Sequence, residues 1–169
     1  MDEEIESIKN ECFETIAVPV GHLLLEFNEL EIDTGTLLAR LLDQHDYVAR
    51  ILAGSLAYSA RISLIGQFLE SKIRPDQKNR MKAAVAEAEA VGEERNRFIH
   101  SEYIPRVGPN DKLLDLRLRK LRGGARKEFS VVSPREIEEL SARAQKVGVE
   151  LRTCAERHAD VRRGEGRAF

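Results

Sequence analysis

The chain contains no C-x-x-C or H-x-x-x-H pair, and its two cysteines, Cys12 and Cys154, stand near opposite ends. Its four histidines, His22, His45, His100 and His158, are just as scattered. That spacing argues against a structural zinc site. Two buried free thiols in a reducing compartment are the simplest reading of the cysteines, with a disulfide left open. No apolar run approaches the ~20 residues that cross a bilayer. The longest candidates, around Leu23-Leu24-Leu25 and Ile62 to Leu69, are broken by polar residues. The start, Met1-Asp2-Glu3-Glu4-Ile5-Glu6, is acidic and has neither the basic n-region nor the apolar h-region of a secretory signal, so a cytoplasmic protein without membrane attachment is expected. Repeats and low-complexity blocks are missing too, and nothing asks for a cofactor.

What is present is ordinary in amount and uneven in placement. With 169 residues, 33 % of them charged and 42 % apolar, the chain reads as one domain over 1–160 with a flexible basic tail over 161–169. Residues 1–33 hold ten acids (Asp2, Glu3, Glu4, Glu6, Glu11, Glu14, Glu26, Glu29, Glu31, Asp33) against Lys9, a local charge of -9. Residues 106–127 hold eight bases (Arg106, Lys112, Arg117, Arg119, Lys120, Arg122, Arg126, Lys127) against Asp111 and Asp115, a local +6. Such a block can hold phosphate backbones or an acidic protein face, or serve only as a solvated surface balancing the acidic end.

The first ~100 residues carry helical periodicity. Apolar positions recur through Leu37, Leu38, Leu41, Leu42, Val48, Ile51 and Leu52, then through Leu56, Ala60, Leu64, Ile65, Phe68 and Leu69. Thr34-Gly35-Thr36 reads as a kink or short break, and Pro75 as a firm boundary that opens a helix running to His100 or Tyr103, closed by Pro105. The period then changes. Leu114, Leu116 and Leu118 alternate with Asp115, Arg117 and Arg119, Gly123-Gly124 supplies a turn, and Phe129 and Val131 alternate on the return, which predicts a β-hairpin over about 113–132. Ser133-Pro134-Arg135-Glu136 has the form of a capping box, opening a last helix to about 158. The expected class is mainly α: a helical bundle with a C-terminal hairpin and a final helix.

One stretch stands out for chemistry, Glu94-Arg95-Asn96-Arg97-Phe98-Ile99-His100. On a helical wheel Arg95 falls within the apolar stripe of Met81, Ala84, Val85, Ala88, Val91, Gly92, Phe98 and Ile99. A guanidinium there loses hydration unless it is paired. The five-residue Arg-to-His spacing carries little weight, because Arg40 and His45 share it. Context separates them: Arg40 is followed by Leu41, whereas Arg95 is followed by an amide. Asn96 and His100 form an i,i+4 pair in which the Asn can orient the imidazole. The helix end favours positive charge, and Arg95 offers planar donors that match a phosphate. Five residues separate Arg95 from His100 by about 140° on the wheel, so two copies of the helix meeting on a two-fold axis, with Gly92 permitting close approach, would bring them together better than one.

Arg95-Asn96-(three residues)-His100 near the end of a bundle helix resembles the signature of the HEPN superfamily (higher eukaryotes and prokaryotes nucleotide-binding), and the resemblance extends in outline over 20–103. It implies a small helical bundle that dimerises with the motif at a shared cleft. It also implies a metal-independent ribonuclease of the kind found in toxin-antitoxin and defence systems, with RNA and an antitoxin or accessory protein as partners. Carried over, Arg95 and His100 become the catalytic pair and Asn96 the orienting residue, while Arg97, Tyr103, Arg117, Arg119 and Lys120 are the residues expected to hold RNA. In a subgroup of these toxins a Tyr stands two residues after the His; here that position is Glu102, and Tyr103 follows it. The other reading is a catalytically silent module of the same kind that binds a protein or nucleotide. In that reading Arg95 is a structural ion-pair partner of a core carboxylate such as Glu26 or Asp43. His100 is then a plain helix-terminal residue, and His22, His45 and His158 are half-buried bundle histidines.

Overall fold

The computed structural model describes residues 2–42, 46–73, 75–100, 102–107, 113–120 and 127–165. Among them the chain is mainly helical: α1 (Asp2–Leu41), α2 (Asp46–Ser55), α3 (Tyr58–Lys72), α4 (Pro75–Ile99) and α5 (Pro134–Glu165), with strands β1 (Glu102–Val107), β2 (Leu113–Lys120) and β3 (Lys127–Val132) between α4 and α5. The chain divides into two compact units. One comprises Met1–Leu25 with Glu93–Ala142, and the other Glu26–Gly92 with Arg143–Phe169.

Helix α1 continues without a break through Thr34-Gly35-Thr36, where a kink or short break was expected. Both threonines turn their hydroxyls back onto the helix, Thr34 to Glu31 O (2.8 Å) and Thr36 to Ile32 O (3.0 Å). Gly35 is there for contact, since a Cβ at that position would sit 2.7 Å from Ala53 Cβ of α2. The predicted boundary at Pro75 holds, with the proline as the first residue of α4. Lys78 and Lys82 of α4 both pair with Glu70 of α3 across that corner.

The core of the second unit is built from helical stripes: Phe27, Leu30, Leu37, Leu38 and Leu41 of α1, Ile62, Ile65 and Leu69 of α3, Met81, Ala84, Val85, Ala88 and Val91 of α4, and Ala144, Val147, Leu151, Cys154 and Ala155 of α5. Helices α4 and α5 of this unit are antiparallel and cross-linked by charge. Arg80 grips Glu150 with two donors, the Nη2–Oε2 bond being 2.8 Å, and Arg143 Nε donates to Glu87 Oε1 at 2.9 Å. Cys154 is a buried free thiol, its pKa raised by burial.

In the first unit, Ile16, Leu23, Phe98, Val132, Ile137 and Leu140 are buried. The strands form an antiparallel sheet in the order β1-β2-β3, with Tyr103 in register with Arg117, Arg117 with Ser130, and Arg119 with Glu128. The turn at Gly123-Gly124 lies outside the described residues. Helix α4 ends at Ile99, short of the Tyr103 limit, and Pro105 sits inside edge strand β1 rather than closing the helix. An edge strand tolerates the missing N–H. The capping box forms as expected: Ser133 N donates to Glu136 Oε2 (2.7 Å) and Glu136 N to Ser133 Oγ (3.3 Å). Helix α5 then continues to Glu165, so 161–165, expected as part of a loose tail, are helical. Residues 166–169 lie outside the described residues.

Candidate functional site

Arg95 and Asn96 lie near the end of α4 and His100 directly follows its last residue, all within the first unit. Main-chain helicity carries through to His100, whose N–H donates to Asn96 O at 3.1 Å. The stripe that flanks Arg95 in sequence is inward-facing: Met81, Ala84, Val85, Ala88, Val91 and Phe98 are all buried. Arg95 itself is half-buried, whereas Asn96, Arg97 and His100 are exposed.

Two expectations about this stretch need correction. Asn96 was expected to reach forward to the imidazole. Instead its Oδ1 accepts a hydrogen bond from Arg95 Nη1 at 3.0 Å, and the bond linking it to His100 is the main-chain one. The amide therefore positions the guanidinium, not the ring. The apolar stripe and Gly92 were read as an interface between two copies of the helix. The stripe is spent within this chain, and the space over Gly92 is taken by Tyr58, whose Cε1 lies 2.5 Å from where a Cβ would be. Tyr58 is fixed there by its hydroxyl, which donates to Ala88 O at 2.6 Å, and burial raises its pKa strongly.

Charge pairing in the core is seen at Arg61 and at Asp33. Arg61 of α3 is 1 % exposed. Its Nη1 donates to Glu31 O at 2.6 Å, its Nη2 lies 3.4 Å from Glu31 Oε1, and its guanidinium carbon sits 5.7 Å from the Tyr58 ring centroid. The buried carboxylate is Asp33, 3 % exposed and faced by Arg152 Nη1 at 3.2 Å. Burial is the largest influence on Asp33 and pushes its pKa up to about 6, against the opposing pull of Arg152. Of the suggested partners, Glu26 is half-buried and Asp43 lies outside the described residues. A wheel drawn through Tyr58, Arg61, Ile62, Ile65 and Leu69 places Arg61 on the apolar side of α3, which is the signal that would have found it. The histidines also sort differently from expectation: His22 is exposed, His158 is buried, and His45 lies outside the described residues.

Among the described residues no group of His, Cys, Asp or Glu could hold a metal ion, and no helix is long and apolar enough to cross a membrane. Tyr103 lies on β1, and Arg117, Arg119 and Lys120 lie on β2, so the chain brings four of the five residues expected to hold RNA onto two paired strands, with Tyr103 and Arg117 directly in register. Arg97 is exposed three residues before His100. Comparison with protein-family models, curated proteins and solved structures finds no match.

Proposed function

We propose that this chain is a HEPN-like, metal-independent ribonuclease whose working residues are Arg95, Asn96 and His100. The observation that carries this reading is the Arg95–Asn96 hydrogen bond one turn before an exposed His100 at the end of α4. It positions a permanent cation at the helix end where the imidazole also lies, in the unit that also contains the strands bearing Tyr103, Arg117, Arg119 and Lys120. In the reaction the RNA 2′-oxygen attacks the adjacent phosphorus, and its proton passes to the neutral His100 ring. The P–O5′ bond breaks, leaving a 2′,3′-cyclic phosphate, and the departing O5′ takes a proton from a second His100 or from water. Arg95 stabilises the charge that builds on the phosphorane oxygens. The wheel angle of about 140° between Arg95 and His100 favours a cleft shared by two copies, each supplying one member of the pair.

A second reading has one specific observation behind it. Asn96 Oδ1 is engaged by Arg95, which leaves the imidazole without the orienting amide expected of it. A catalytically silent module that binds a nucleotide or protein needs no such orientation. The two readings part on one assay. His100→Ala should abolish cleavage of a labelled single-stranded RNA in the presence of EDTA, with the circular-dichroism spectrum unchanged. Cleavage that survives the substitution, or that EDTA stops, removes the proposed mechanism.

A further inference from the structure

Helix α1 carries two apolar lines of seven-residue spacing. Leu23, Leu30 and Leu37 form one and are fully buried. Val18, Leu25 and Ile32 form the other, and they are 61 %, 64 % and 48 % exposed. Each outer residue lies five positions before a core leucine, about 140° away on the wheel. An apolar residue on the wet side of a helix is unremarkable singly. Three in succession at seven-residue spacing fall within about 40° of one another on the wheel and so make one continuous apolar line along the helix.

The chemistry around the seam limits what can cover it. Glu11, Glu14 and Glu29 are exposed and fall within about 60° of the line on the wheel. Lys9 is the sole Lys or Arg among residues 1–33, against ten acids. A second copy of α1 laid on this face would set glutamates against glutamates, which disfavours self-pairing. A helix with an apolar stripe flanked by lysines or arginines would bury the stripe and meet the acidic rim. Gly21, one turn from both Val18 and Leu25, gives room for a partner side chain, because a Cβ there would meet nothing within 4 Å.

We infer that the outer face of α1 is a docking surface for a basic amphipathic helix of a partner protein, seated on Val18, Leu25 and Ile32. It is independent of the chemistry at His100. Three heptad contacts make a small interface, for which a dissociation constant around the micromolar range is expected.

The test uses the full chain and two synthetic 21-residue helical peptides with the same leucine heptads, one flanked by lysines and one by glutamates, titrated by calorimetry. The lysine peptide should bind, the glutamate peptide should not, and Leu25→Glu should weaken lysine-peptide binding at least tenfold. That last result is discriminating because the substitution makes the face more acidic, so attraction by charge alone would strengthen. Leu25 is mostly exposed, so the variant should fold; Val18→Glu is the replacement if it does not. Three outcomes overturn the inference: no binding of the lysine peptide, binding that Leu25→Glu leaves intact, or a dimer seen by sedimentation that Leu25→Glu dissolves, which would make a second copy the occupant.

Discussion

The most informative single residue for stability is Asp33, a carboxylate almost wholly enclosed and facing Arg152, itself half in solvent. Its carboxyl keeps a proton to about pH 6 in the fold, against an ordinary value of 3.8 when unfolded. Between those values the native state binds more protons than the unfolded chain, so the Asp33 contribution to stability falls as pH rises from about 4 to 6 and stays low above that. Asp33→Asn removes the ionisation while keeping the shape. It should raise the melting temperature at pH 7 to 8, by up to about 3 kcal/mol in stability, with the gain shrinking towards zero near pH 4. A gain that does not depend on pH would mean the carboxylate is not strained by burial. The same contact explains Gly148. A Cβ there would lie 2.7 Å from Asp33 Oδ2 and 4.0 Å from Leu30 Cα, whereas a Cβ on Gly66 of α3 would meet nothing within 4 Å. One amino-acid change should therefore have opposite signs at two helical glycines. Gly66→Ala should gain up to about 1 kcal/mol from helix propensity, and Gly148→Ala should lose about 1–3 kcal/mol from overpacking, both read by urea denaturation.

At the scale of elements, the antiparallel register of α4 on α5 is written in charge. Arg80 faces Glu150, and seven residues further along α4 Glu87 faces Arg143, seven residues back along α5. The sign alternates along each helix, so a slip by one heptad would set like charges together. Arg143→Glu alone should lower the denaturation midpoint, and adding Glu87→Arg should restore most of the loss. The coupling should be about 0.5 kcal/mol, because both side chains are partly exposed, and it should fade in high salt. A double variant no better than the single would deny the pair any part in setting register. The sequence discloses elements of this kind unevenly. The α4 start at Pro75 and the Ser133–Glu136 box were legible because their signals are local. Strand β1 was not, since Glu102–Val107 contains Pro105 and no alternation, and only pairing with β2 defines it. At the candidate site, the position of His100 at a helix end was legible, but the direction of Asn96 was not: i−1 and i+4 neighbours were both within reach, and the fold chose Arg95.

For the whole molecule, a net charge of -2 conceals a -9 stretch over 1–33 and a +6 stretch over 106–127. If the proposed activity holds, RNA is drawn by the basic stretch and repelled by the acidic one, so binding should be far more salt-dependent than the net charge implies. The bases on β2 are the natural place to measure this: Arg117, Arg119 and Lys120 span four residues, and Arg117 is in register with Tyr103. Single-stranded RNA loses about 0.7 in the slope of log affinity against log salt for each phosphate no longer neutralised. The triple substitution Arg117→Gln, Arg119→Gln, Lys120→Gln should therefore flatten the slope by about 2. His100→Ala should leave the slope untouched, since a residue engaged in proton transfer contributes little to counterion release. Fluorescence anisotropy of a labelled single-stranded RNA over a salt series measures both variants. A triple variant with the wild-type slope would remove β2 from the RNA path. A flattened slope together with unchanged cleavage at low salt would separate holding the RNA from cutting it, assigning the first to β2 and leaving the second to the end of α4.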